Sequence, residues 1–326
     1  METLSNPAAA LPEAETPRGV QPGGEGFFVQ MELGWGRLRR RLLRRFRPGY
    51  VRVMEQKRRG HCPDCCHDVI DSRDLKFCRN VCGYWFEAAD DRYRWRDRLR
   101  IARAGWAELI GFSALFAIAA IVLAVLGTIH WSFWLLLLPL VLVWIEVVAF
   151  FRDPERKIST DANVLISPAD GAVTHIGEVD DPTFPGGRAF RIGIFLSIFN
   201  VHVNRVPRTG IVTAVRYYRG AFLDARHADC PTRNEQLWID FGEEGTLRPI
   251  RVKQISGAIA RRIVCWLKPG DHVRAGDRFG MIKFGSRTEV LIPADQLINV
   301  LVKLGDQVKG GSTILLRFTG DSRAAT

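Results

Sequence analysis

Two apolar runs lie back to back in the middle of this chain. Leu109–Gly127 holds nineteen residues without a charge, and Trp131–Phe151 holds twenty-one with one charge, Glu146. About twenty apolar residues span a hydrocarbon core, so the pair reads as a membrane-inserted helical hairpin over residues 106–151. Trp131 and Trp134 fall where an interfacial belt would lie. Arg98, Arg100 and Arg103 precede the pair, Arg152, Arg156 and Lys157 follow it, and the connecting turn has no Lys or Arg. The positive-inside bias then puts both ends in the cytoplasm. A hairpin that dips in without crossing fits the same pattern.

Lys and Arg number 46 against 35 Asp and Glu, a formal net charge of +11. Such an excess suits nucleic acid or an anionic membrane surface. Eleven Lys or Arg fall between Arg37 and Arg59, and arginines recur at 92, 94, 96, 98, 100 and 103. Trp35–Phe46 places Trp35, Leu38, Leu42, Leu43 and Phe46 near helical spacing with arginines between, the pattern of a membrane-surface helix. Beside a membrane hairpin, lipid headgroups explain the arginines more simply than nucleic acid does, so no nucleic-acid partner is expected. Residues 1–30 read as a disordered tail without an apolar run, so no signal peptide is expected.

Five of the seven cysteines crowd into Cys62–Cys82, which is no secreted disulfide framework. Cys62 and Cys65 form one knuckle, Cys78 and Cys82 a second, with twelve residues between. Two thiolate pairs at that distance can hold a structural zinc, with Cys66, His61 and His67 as spare ligands. The alternative is unligated or redox thiols. Residues 31–105 are thus a basic, Cys-rich region.

After Arg152 short β-branched runs alternate with Gly, Pro and Asp turns, so residues 152–326 form a mostly-β domain. Gly270-Asp271-x-Val273-x-x-Gly276 recurs 35 residues on as Gly305-Asp306-x-Val308-x-x-Gly311. Such half-repeats suit the quasi-symmetric hammerheads of a barrel-sandwich.

This domain also carries motifs. Phe150–Arg156 (FFRDPER) is followed by Ser167-Pro168-Ala169-Asp170-Gly171, then by Ile194–Arg205 (IFLSIFNVHVNR). Asn234-Glu235-Gln236, Gly257–Val264 (GAIARRIV) and Arg278–Arg287 (RFGMIKFGSR) complete the set. In this order they resemble the short bacterial and archaeal form of phosphatidylserine decarboxylase, from about Phe150 to Leu316. The hairpin fits that family, whereas residues 1–105 lie outside it.

The resemblance implies an enzyme whose cofactor is a pyruvoyl group made from its own chain by a cut between Gly285 and Ser286. Large and small chains of one precursor, 285 and 41 residues, then stay together. Gly285 leaves its carbonyl open to the Ser286 hydroxyl because it has no Cβ. The ketone formed supplies an electron sink for CO₂ loss. Gly310-Gly311-Ser312-Thr313 resembles the cut site of longer members. Yet Gly311 already serves the repeat, and a cut there would leave too little chain to complete a β layer.

By the same resemblance Asp170 assists self-cleavage, and His202 is the histidine that moves protons. Where longer relatives carry a second histidine, this chain has Arg205, which is expected to orient the scissile carbonyl unless His202 serves both steps. Arg261 or Arg262 pairs with the substrate phosphate or carboxylate, and Asn234 and Glu235 line the site. Gln236 stands where the family usually has arginine. The implied substrate is phosphatidylserine, or an archaeal-type serine phospholipid, at the cytoplasmic face of the cell membrane. Whether copies associate into a homo-oligomer stays open. The rival class is a membrane-anchored carrier or adaptor, which would need an exposed acceptor lysine or long heptads, and the chain shows no such heptads.

Overall fold

The computed structural model describes residues 13–24, 26–63, 65, 67–242, 249–258, 262–283 and 285–319. The chain divides into two compact units. One comprises Met1–Gly23, Arg156–Ser197 and Asn204–Thr326, the other Gly24–Glu155 and Ile198–Val203.

The second unit opens with helix α1 (Phe27–Phe46) and helix α2 (Pro48–Lys57), the latter started by proline, whose fixed φ suits a first helical turn. Strands β1 (Arg59–Gly60) and β2 (Tyr84–Trp85) then pair around the cysteines. Arg39 is buried against Asp71 and Asp74, and Arg40 lies 3.1 Å from Asp74. Losing Arg39 would strand two buried carboxylates, which is why a basic helix tolerates one arginine facing inward. Phe27, Met31, Trp35, Leu38, Leu42 and Phe46 form an exposed apolar stripe along α1. Leu43 departs from the expected stripe: it packs against Val51, Met54 and Ile70.

Helix α3 (Trp106–Ile129) and helices α4 (Ser132–Leu135) and α5 (Leu137–Phe150) form the hairpin. Both arms are long and apolar enough to cross a membrane, and little of either is buried by protein. The Trp144 indole donates to Ser113 Oγ at 3.0 Å and ties the arms together.

The first unit is mostly β. Its strands are β3 (Val164–Ile166), β4 (Gly171–Asp180), β5 (Arg188–Leu196), β6 (Val203–Arg205) and β7 (Gly210–Tyr218). After helix α6 (Cys230–Arg233) come β8 (Gln236–Gly242), β9 (Ile250–Ser256), β10 (Arg262–Cys265), β11 (His272–Val273) and β12 (Arg278–Lys283). Strands β13 (Ser286–Pro293), β14 (Ile298–Val300), β15 (Gln307–Val308) and β16 (Ile314–Phe318) close the chain. Eight of them form one curled sheet in the order β11-β7-β8-β9-β13-β5-β4-β15. Strands β10-β12-β6 and β14-β16-β3 make two smaller sheets.

The two half-repeats sit at opposite edges of the large sheet and repeat the same bonds. Gly270 N donates to Val212 O and Gly305 N to Val173 O, each at 2.8 Å. Val212 N and Val173 N return bonds of 2.9 Å to Asp271 O and Asp306 O. Gly270 and Gly305 share φ +89, a left-handed turn that favours glycine. These turns cap the starts of β7 and β4, the long strands next to the sheet's two ends, and β9 and β13 lie at its centre.

Residues 13–23, read above as part of a tail, belong to the β unit. Glu15 exchanges backbone bonds with Tyr217, and buried Val20 accepts from Cys265 N at 3.0 Å. Their contacts belong to the β unit, and polar composition alone could not show that.

Candidate active site

Strand β13 is buried on both faces. Val290 and Ile292 point into the main core with Ile192, Ile194, Ile239 and Val252. By the alternation of a strand, Ser286 and Thr288 share that inner face, opposite Ser256 and Gln254 of β9. Arg287 and Glu289 take the other face, where Arg287 Nε donates to Glu289 Oε1 at 2.8 Å.

Ser286 is 0 % exposed, and its Oγ has no hydrogen-bond partner among the described residues. A buried hydroxyl without a partner costs about 1–3 kcal/mol, so the fold keeps it for another reason. Gly285 before it has φ +65, with open space where a Cβ would stand. A side chain there would meet backbone strain rather than a neighbour. The expected pair thus occupies the first turn of the central strand.

A polar chain that sequence reading did not single out lies on the same inner face. Gln254 Nε2 donates to Asn204 Oδ1 at 2.8 Å, and Asn204 Nδ2 donates to Thr288 Oγ1 at 3.3 Å. All three are fully buried.

Asp170 immediately precedes β4, two strands from β13, roughly 10 Å away by ordinary strand spacing. Its carboxylate accepts two bonds from Arg156 Nη2, at 2.7 and 2.9 Å, and one from Gly310 N at 2.7 Å. Arg205 Nη1 donates to Gly276 O at 3.1 Å, and its Cδ lies over Gly311. Arg205 therefore ties the two half-repeat turns together.

His202 is fully buried within the other unit, its ring 4.2 Å from that of Phe150. Nδ1 lies 2.9 Å from Asn200 O; a carbonyl only accepts, so Nδ1 carries the hydrogen. Nε2 is then a bare, unpartnered acceptor. Burial pushes the imidazole down to about 4, so it is neutral near pH 7.

The residues expected at the substrate divide. Asn234 is consumed structurally: Oδ1 accepts from Leu223 N, and Nδ2 donates to Leu223 O and Ser256 O. Ser256 is the register partner of Ser286. Glu235 is buried beside Gly23 and Tyr217, burial raises its carboxyl above the ordinary range, and Oε1 has no partner. Gln236 accepts from the Trp238 indole at 2.7 Å, so here it braces a strand. Arg262 opens β10 opposite Lys283. Arg261 lies outside the described residues, as does Cys66.

In the basic region the Cys62, Cys65 and Cys82 sulfurs lie within 4.8 Å of one another. Cys62 and Cys65 are joined as a disulfide, and Cys82 Sγ is 2.7 Å from Cys65 Sγ. Cys78 Sγ lies 4.0 Å from His67 Nε2. Three of the four expected ligands thus converge, with the fourth in the same small cluster.

Residues 146–316 match the family model for phosphatidylserine decarboxylase. The phosphatidylserine decarboxylase proenzyme of Rhodopirellula baltica is 43 % identical over 245 residues, 75 % of this chain and 99 % of that one. The proenzymes of Symbiobacterium thermophilum and Carboxydothermus hydrogenoformans are 44 % and 45 % identical over 218 and 210 residues. Those two alignments cover 67 % and 64 % of this chain and 95 % of each relative. A mostly-β domain with a buried, unpartnered serine, matched to proenzymes at this identity, makes the chain a decarboxylase of the self-processing kind. It belongs to the phosphatidylserine decarboxylase family.

Proposed function

We propose that this chain cuts itself between Gly285 and Ser286 and then decarboxylates phosphatidylserine to phosphatidylethanolamine at a membrane surface. The observation that carries this is the buried, partnerless Ser286 Oγ directly after a left-handed glycine. That hydroxyl is free to attack, and water is kept from a competing hydrolysis. The same seat fits a pyruvoyl group derived from Ser286: it is enclosed, on a rigid central strand, beside the polar side chains of Thr288, Gln254 and Asn204. When present, that group supplies an electron sink for the pair left by CO₂. The chain's own part is to hold the serine in register, to exclude water, and to take and return a proton at His202 Nε2. Asp170, anchored by Arg156, fixes the half-repeat turn at Gly310. Glu235 and the Arg261-Arg262 pair are the groups to test for headgroup contact. The quasi-equivalent turns favour a barrel-sandwich arrangement for residues 152–326. A carrier role is disfavoured because Lys283 is only 2 % exposed, and an acceptor lysine must be reachable. The test is release of CO₂ from phosphatidylserine vesicles by the purified chain. No release by fully cleaved protein would sink the reading.

Membrane attachment is part of the proposal, with both ends of the hairpin and the catalytic domain on the cytoplasmic side of the cell membrane. The exposed apolar stripe of α1 suits a membrane surface as well, and the arginines beside it suit anionic headgroups. Deleting Leu109–Phe151 should move the protein from the membrane pellet to the supernatant while cleavage persists. Reporter fusions at Arg103 and Thr326 on opposite sides would overturn the hairpin topology.

The thiol cluster fits a structural zinc held by Cys62, Cys65 and Cys82 with Cys78. Four thiolates are an ordinary zinc set; with the Cys62–Cys65 disulfide formed two of them are missing, so the cluster would take zinc only once that bond is reduced, as a reducing cytosol would keep it. Metal analysis of the purified protein should find about one zinc per chain, lost in Cys82→Ser. A metal-free protein with an intact Cys62–Cys65 disulfide by mass would reject the site.

A further inference from the structure

Gly257 follows β9 directly and is buried, yet its backbone has no left-handed φ. Conformation therefore does not demand glycine here; space does. A Cβ at 257 would stand 2.4 Å from the carbonyl oxygen of Gly285 and 3.2 Å from its carbonyl carbon. Real Cβ atoms essentially never come so close to backbone. Ala225 Cβ, 3.3 Å from the same point, closes the other side. The two glycines thus divide the work: Gly285 supplies the turn, and Gly257 supplies the room into which its carbonyl points.

We propose that Gly257 is a positioning residue for self-cleavage, setting the scissile carbonyl where the Ser286 hydroxyl can reach its carbon. The proposal rests on the reading that the 285–286 bond is the one that breaks. In that step Ser286 Oγ bonds to the Gly285 carbonyl carbon, the C–N bond between the residues breaks, and the hydroxyl proton ends on the nitrogen. The ester so formed still joins the chains; loss of the Ser286 Cα proton then breaks the Cβ–O bond and frees the Gly285 carboxylate, and one water converts the remaining enamine to the ketone with release of ammonia. A methyl at 257 must displace something by roughly half an ångström or more. The β9–β13 ladder is held by paired strands from Arg251 to Ser256, so the turn at Gly285 gives first. Misplacing a reacting group by about an ångström costs on the order of 10²-fold in rate.

The consequence is confined to processing. Once the chain is cut, the Gly285 carbonyl has become the carboxylate end of the large chain and no longer needs alignment. Gly257→Ala should therefore cleave about 10²-fold more slowly, while each molecule that does cleave turns over phosphatidylserine at close to the wild-type rate. A general structural defect would lower both. Folding is checked separately in the Ser286→Ala background, where no cleavage can occur: Gly257→Ala should leave its melting temperature within a few degrees. Normal cleavage of Gly257→Ala overturns the proposal. So does equal loss of turnover per cleaved molecule, or a collapsed melt in the double variant. Mass analysis of the wild type separates the two ideas, because a chain not cut at 285/286 would reject the underlying reading instead.

Discussion

Ser286→Ala should remain a single chain of 326 residues with no detectable decarboxylation, whereas the wild type should run as two chains of 285 and 41 residues. The expected loss is complete because one residue serves twice: on the proposed reading its hydroxyl is the nucleophile that breaks the chain, and its carbons become the reactive ketone. No neighbour can substitute: Thr288 is two residues inside the strand, and its hydroxyl already accepts from Asn204. Ser312 sits in a turn closed by Lys309 and equivalent to the first half-repeat, without the buried setting of Ser286. Ser286→Cys is the informative companion. A thiol can attack the same carbonyl, so partial cleavage is expected with little turnover. The small chain of the wild type should resist Edman sequencing and react with hydroxylamine or borohydride. Cleavage at another bond, or an active uncut chain, would reject the assignment of Ser286.

How much of this was legible beforehand depended on which physical rule governed each segment. The hairpin was legible because hydrocarbon tolerates only one composition: the runs Leu109–Gly127 and Trp131–Phe151 became helices Trp106–Ile129 and, with a break at Leu136, Ser132–Phe150. The half-repeats were legible because left-handed turns require glycine at fixed places. Charges on the central strands were not. Arg287 and Glu289 look like a solvated face, yet both are buried, as are Arg251 and Lys253. The loop at Asp181–Phe184 covers that side, with Arg251 Nη1 donating to Thr183 Oγ1 at 2.6 Å and lying over the Phe184 ring. Period-two reading assumes one wet face, and this sheet lacks one at its centre. Resemblance likewise named Asp170, Arg205 and Asn234 but not their partners. Partners such as Arg156, Gly276 and Leu223 are set by long-range packing.

His202→Ala should lower turnover per cleaved molecule by about 10²–10⁴-fold, the usual worth of a positioned acid–base group. The structure refines how that group works. With Nδ1–H held by Asn200 O and the imidazole pushed down to about 4, Nε2 at pH 7 is an acceptor awaiting a proton. On the proposed reading it cannot begin the cycle as an acid: it would first take a proton that the substrate ammonium gives up and then return it to the carbon that has lost CO₂. The acid limb of the rate profile should therefore lie near 4 rather than near 6.5, and His202→Ala should lack that limb. Stability carries the same signature. The unfolded chain binds a proton at 202 near 6.5, whereas the folded chain does not until about 4. The unfolded state thus gains protons first as pH falls, and stability present above 6.5 is lost between 6.5 and about 4. That loss amounts to roughly 3 kcal/mol at one unit per 1.36 kcal/mol. His202→Ala should flatten this part of the acid denaturation curve. The decisive comparison is fraction cleaved against turnover per cleaved molecule. Unchanged turnover in cleaved His202→Ala would leave the proton to bound water and remove this histidine from the chemistry.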